Sequence, residues 1–182
     1  MDRGIQTGLS LALALGVGVT TVALAGHIEA GDRMEMAAVL KAPVTPTQAV
    51  KIAESSGGRA YGYGMEDNRH GQWYEVDVLR GGAKLDLRID PTTGKVLGSS
   101  AASGEDAQGA RALDGSQLNF GEAIAQAERV GKGPALEADS AGHGVKAHVD
   151  VDVIQDHGRR VAHYRMSMQG GRIHSTLTGT DS

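Results

Sequence analysis

The sequence predicts an α+β protein made of two small domains, each with one helix packed on a three- to four-stranded antiparallel sheet. Two observations predict this class. A capped, alanine-rich helix occurs twice, beginning at Pro46 and at Phe120. Each helix is followed by segments in which apolar and polar residues alternate, the pattern of half-buried strands.

Composition excludes several classes of protein. The chain has 182 residues, a net charge of −4, no cysteine and 3% aromatic residues. The missing cysteine excludes a disulfide scaffold, a thiol nucleophile and a thiolate zinc site. We expect no nucleic-acid partner, because such proteins usually carry a basic patch. The low aromatic content and the 27 glycines are typical of small hydrophobic cores and not of one large enzyme.

Residues 1–25 are predicted to be a leader outside the folded body. The second part of this segment is uncharged, and it closes with Ala23 and Ala25, small residues at the positions that signal peptidase recognises. Two alternatives stay open: a signal peptide cleaved before Gly26, or a retained N-terminal membrane anchor. Both place the body in the periplasm or another extracytoplasmic space. Residues 26–44 are then predicted to be a tether, with a short amphipathic helix as the alternative.

The first domain is predicted to span residues 45–98. Thr45 to Gln48 form a capping box, and the helix ends at Gly57 and Gly58. Gly81 and Gly82 then make a two-residue hairpin turn.

The register around that turn follows from the alternation of apolar residues. It places Val76 opposite Leu87 on an apolar face and Glu75 opposite Arg88 on the polar face. The next turn begins at Asp90 and leads to a closing strand that starts with Lys95.

A flexible linker over residues 99–117 is predicted from its small, polar composition. The second domain, residues 118–182, repeats the plan. Asn119 caps its helix, and a hairpin follows in which Asp150 lies opposite Arg165 and Asp152 lies opposite His163.

The first domain resembles the PepSY family. The resemblance rests on a Tyr-Glu-Val strand followed by an Asp-x-x-Thr-Gly-x-Val turn. The matching residues are Tyr74, Glu75, Val76, Asp90, Thr93, Gly94, Val96 and Leu97. The second domain keeps the helix and a Val-Asp-Val strand but lacks that turn, so we interpret it as a diverged copy.

The resemblance implies an exported binding module that restrains or binds a peptidase or another protein. It supplies no catalytic residue and no cofactor, and no acid, base or nucleophile of the sequence is placed for catalysis, so we expect no enzyme. Trp73, with Glu75 and Arg88 on the same polar face, is the candidate partner contact. The alternative is that Trp73 covers the edge of the sheet. Edge strands also accept an extended peptide by strand addition.

A second function is a periplasmic metal-binding protein. His148, Asp150, Asp152 and His163 share one face of the second hairpin, and imidazole with carboxylate is a ligand set for Zn, Cu or Ni. The alternative is a solvated face in which Asp150 pairs with Arg165 and Asp152 pairs with His163.

Overall fold

The computed structural model describes residues 28–102, 109–113 and 115–182, so the predicted leader lies outside the described residues. Within these ranges three α-helices and eight strands confirm the α+β class. The helices are α1 (Ala30–Lys41), α2 (Pro46–Ser55) and α3 (Phe120–Gly131). The strands are β1 (Arg59–Asn68), β2 (Gly71–Arg80), β3 (Ala83–Ile89), β4 (Val96–Ala101), β5 (Ala135–Ala141), β6 (His148–Gln155), β7 (Arg160–Gln169) and β8 (Arg172–Asp181). None of the helices in this part of the chain has the length and apolarity needed to cross a bilayer.

All eight strands form one antiparallel sheet with the order β4-β3-β2-β1-β5-β6-β7-β8. The two predicted sheets are therefore not separate: β1 pairs with β5, and Tyr63 lies opposite Ala138 at that junction. Outward from the junction the strands follow chain order in both directions, so each half contributes four strands and one capped helix, and the first half adds α1. Sequence alternation could not reveal this pairing, because the pattern around Tyr63 is weak.

The hairpin registers agree with those predicted from the alternation of apolar residues. Val76 lies opposite Leu87 and Glu75 lies opposite Arg88 in the first hairpin. Asp152 lies opposite His163 in the second hairpin. Gly81 and Gly82 have φ angles of 57° and 84°, the left-handed conformation that this short turn requires.

Both capped helices lie close on the sheet through alanine. Ala49 and Ala53 of α2, and Ala123 and Ala127 of α3, are completely buried. The Thr45 hydroxyl accepts a hydrogen bond from the Gln48 amide at 3.2 Å, and the Thr45 amide donates to the Gln48 side chain at 2.8 Å. These two bonds confirm the capping box.

The structure corrects the prediction that residues 26–44 form a tether. Residues 30–41 are helix α1, which packs against β1 and β5 and buries Met36 and Val39. Burial of these apolar side chains explains why the segment folds onto the body, since each contributes on the order of 2 kcal/mol.

The predicted linker is also ordered at both ends. Residues 99–101 belong to β4, Leu113 is buried in the core, and Leu118, the first residue after the predicted linker, is buried as well. The apolar side chains at 113 and 118 tie the chain to the sheet before α3 begins. Residues 103–108 and 114 of the predicted linker lie outside the described residues.

Helix α3 lies close to the sheet at Gly131. A Cβ atom at Gly131 would lie 2.6 Å from Val153 Cγ1 and 3.0 Å from Val153 Cβ, so Gly131→Ala forces the helix away from the sheet. We expect the free energy of unfolding to fall by about 1–3 kcal/mol in urea denaturation.

The control for Gly131→Ala is Gly31→Ala in α1, where a Cβ atom meets nothing within 4 Å. This change should raise stability by up to about 1 kcal/mol, because alanine favours a helix over glycine. Equal effects of the two substitutions would contradict the close contact at Gly131.

Candidate functional site

Strand β4 forms one outer edge of the sheet, and all six of its residues are exposed. It contains no charged residue and no proline, which are common protections of an edge strand against pairing with another chain. A bulge displaces Leu97, but the stretch from Gly98 to Ala101 pairs regularly with β3. The opposite edge, β8, differs because it begins with Arg172 and ends with Asp181.

A cavity of about 370 Å³ opens on the polar face beside β4. Trp73, Arg88 and the β4 residues from Leu97 to Ser100 line it. We call β4 together with Trp73 and Arg88 the β4 edge site. It contains two of the three residues predicted as partner contacts, and the third, Glu75, is adjacent to both of these side chains.

Trp73 is on the polar face, as the alternation predicts, but it is only 9% exposed. The Arg88 guanidinium lies over its ring at 4.8 Å from the centroid, and its indole N–H donates to Glu75 at 3.3 Å. Trp73 is therefore buried on the polar face beneath Arg88. The alternation identified the face correctly but could not show that Arg88 covers the ring.

Arg88 remains accessible although it stacks on Trp73. Its side chain is 49% exposed, and its Nε atom lies 3.8 Å from the Glu75 carboxylate, beyond hydrogen-bond distance. Gly98 lies directly opposite Arg88 on β4, so no side chain separates the guanidinium from the edge of the sheet on this face. Leu97 and Gly98 were not predicted as site residues, and a glycine within a strand was the available signal.

A second, smaller cavity of about 100 Å³ lies on the same face at the centre of the sheet. Gly64 is at its floor, and Glu75, Asp77, Glu137 and Asp139 are among its walls. Partial desolvation, followed by repulsion from Asp139 and Asp152, raises the pKa of Glu137 to about 7.

The four residues of the predicted metal site lie on one face, but their polar atoms contact one another and Arg165. Arg165 donates to both oxygens of Asp150, at 2.8 and 2.9 Å. The two nitrogens of His163 contact Asp152 at 2.7 Å and Asp181 at 3.1 Å. Among the described residues no group of three or more His, Asp or Glu side chains has an arrangement that could hold a metal ion.

The pairs Asp150–Arg165 and Asp152–His163 are those expected for a solvated face, and metal binding by these residues stays a prediction. His148 takes part in these cross-strand contacts as well, since its Nε2 atom lies 3.4 Å from Asp150. Asp181 was missed at the sequence level, because its contact with His163 depends on a bulge between β7 and β8.

Comparison with known proteins agrees with the helix-and-sheet architecture of the first half. Residues 43–99 match the model of the PepSY family, described as the peptidase propeptide and YPEB domain. The matched stretch includes α2, the strands β1 to β3 and the first residues of β4. The family match ends before the second half, so a diverged second copy stays a prediction.

No curated protein matches the chain in sequence. Among solved structures, the chain resembles a protein of Clostridium difficile 630 that is described as a candidate lipoprotein. The two are 14% identical, the match covers 76% of this chain and 95% of that one, and the TM-score is 0.40.

The His163 contacts predict how stability depends on pH. The hydrogen bond to Asp152 and the charges of Asp152 and Asp181 raise the pKa of His163 to about 9, against an opposing effect of burial. Because the folded state binds the proton more tightly than the unfolded state, the stabilisation is complete below about pH 6.5. It is lost as the pH rises through about 9.

We expect His163→Gln to lower the free energy of unfolding by about 1–2 kcal/mol at pH 6 and by much less above pH 9.5. Urea denaturation across that pH range measures it. His174→Gln, a change at an exposed histidine of β8, is the control and should leave the profile unchanged. A pH profile of His163→Gln parallel to that of the wild type would contradict the role of His163.

Proposed function

We propose that this chain is an exported, non-catalytic module of the periplasm or cell surface that binds a protein partner through the β4 edge site. The observation that carries the proposal is an exposed edge strand without charge or proline at the end of the stretch that matches the PepSY family. The description of the matched family names peptidase propeptides, which supports a peptidase as the partner.

Strand addition is the binding mode that β4 supports best. An edge strand presents a row of backbone N–H and C=O groups that can pair with an incoming extended chain. Main-chain hydrogen bonds then supply affinity, and the side chains around the edge supply specificity. The cavity beside Leu97 and Gly98 offers space for one incoming side chain on the polar face.

Two ionisable groups with raised pKa values, Tyr74 and His163, make structural contacts, which supports a non-catalytic module. Burial raises the pKa of Tyr74 to about 12. Its hydroxyl donates to the Val44 carbonyl at 2.7 Å, which anchors the segment before α2. Both ring nitrogens of His163 contact carboxylates, so this imidazole is not placed as a general base.

Export is the part of the proposal that rests on residues 1–25. Fractionation of the native host is expected to place the protein outside the cytoplasm. A chain that begins at Gly26 would support a cleaved signal, and a full-length chain in the membrane fraction would support an anchor. Full-length protein in the cytosol would contradict export.

Partner binding at β4 is tested by placing a photoreactive amino acid at Ser100 and cross-linking in the native host. We expect discrete cross-linked species that a second change, Ser99→Lys, reduces about tenfold, since each tenfold loss corresponds to about 1.4 kcal/mol. Ser99 lies opposite Leu87 on the helix side of the edge, where a charge blocks an added strand.

The matched control for Ser99→Lys is Ser175→Lys, the same change on the helix side of β8, where Ser175 lies opposite Met166. This variant should leave the cross-links unchanged. Cross-links that persist in Ser99→Lys, or that disappear equally in both variants, would contradict binding at β4.

A further inference from the structure

The β4 edge site has a gap on its polar face at Gly98. A Cβ atom placed there would meet nothing within 4 Å, so the space above this residue is open. Neighbouring strands lie about 4.8 Å apart, so a residue of an added strand would lie about 10 Å from the Arg88 backbone with Gly98 between them. An arginine and an acidic side chain span that distance together.

The Arg88 guanidinium is preorganised to bind a carboxylate. A guanidinium carries five N–H donors in a planar fork that matches the two oxygens of a carboxylate. Stacking on Trp73 at 4.8 Å holds the Arg88 side chain against the sheet, so less conformational entropy is lost on binding. Glu75 at 3.8 Å is too distant to occupy these donors with a hydrogen bond.

The distribution of charge also favours an anion at this edge. On the polar face, β3 carries Lys84 and Arg88 on either side of Asp86, whereas β4 is neutral. The central strands present carboxylates on the same face, including Glu137 and Asp139. A negative side chain is therefore attracted at the edge and repelled towards the centre.

The other face of the edge is apolar. Leu85 of β3 is half-buried, and Ala101 lies opposite it on β4. Val96 is 47% exposed on the same strand. Because successive residues of a strand point to opposite faces, the neighbours of an acidic residue in an added strand would meet this apolar surface.

We propose that the β4 edge binds an extended segment of a protein partner in which an Asp or Glu lies over Gly98 and is bound by Arg88, with apolar residues on either side. The inference rests on the proposed function and adds the chemistry of the bound segment. Arg88 determines specificity, and the backbone of β4 supplies most of the affinity.

The test is selection of displayed random octapeptides against the purified full chain, followed by affinity measurements on the enriched synthetic peptides. We expect an alternating pattern with one Asp or Glu flanked by apolar residues. Replacing that acid with its amide, or changing Arg88→Gln in the protein, should weaken binding about tenfold. Arg172→Gln, at the exposed start of β8, is the control and should leave affinity unchanged.

Gly98→Val gives a second, independent measurement, because a Cβ atom at residue 98 meets nothing within 4 Å and valine suits a strand. Gly98→Val should weaken the binding of acidic peptides more than the binding of the same peptides with the acid replaced by its amide. Absence of enriched peptides, peptides without an acidic residue, or equal binding to Arg88→Gln would overturn the inference.

Failure of the inference and failure of the proposed function are distinguished by Ser99→Lys. Neutral peptides that lose affinity in Ser99→Lys would leave strand addition standing and overturn only the role of the carboxylate. Peptides whose affinity is unchanged in Ser99→Lys would overturn both.

Discussion

The pairing of β1 with β5 is the interaction on which the rest of the structure depends. Gly62 and Gly64 lie opposite Asp139 and Glu137 at this junction, and a Cβ atom at Gly62 would clash with the Asp77 carboxylate of β2. The pairing places α2 and α3 side by side, where the Thr47 hydroxyl donates to the Glu128 carboxylate at 2.7 Å. One hydrophobic core then extends beneath both halves.

This pairing also decides which edges of the sheet stay open. Two separate four-stranded sheets would have four edges, and joining β1 to β5 leaves β4 and β8 as the edges within the described part of the chain. β8 is long and carries charges at both ends, whereas β4 is short and uncharged. This difference between the two edges supports β4, rather than β8, as the binding edge of the sheet.

Structural features that depend on residues close together in the chain could be predicted from the sequence. The capping box at Thr45, the glycine turn at Gly81 and the hairpin registers all follow from local pattern, and the structure contains each of them. The missed features depend on contacts between distant segments. Helix α1 has a weak apolar stripe, so its packing on the sheet is visible only in the fold, and alternation around Trp73 shows its face but not the residue that covers it.

Trp73 is the single tryptophan of the chain, and this determines where the indole fluorescence of the protein originates. Indole emission responds to the polarity and rigidity of its surroundings, and here those surroundings are Arg88 and the cavity beside β4. The native fluorescence of the protein therefore originates largely at the β4 edge site. The molecule carries its own optical reporter at the place where a partner strand would be added, with no label to disturb the edge.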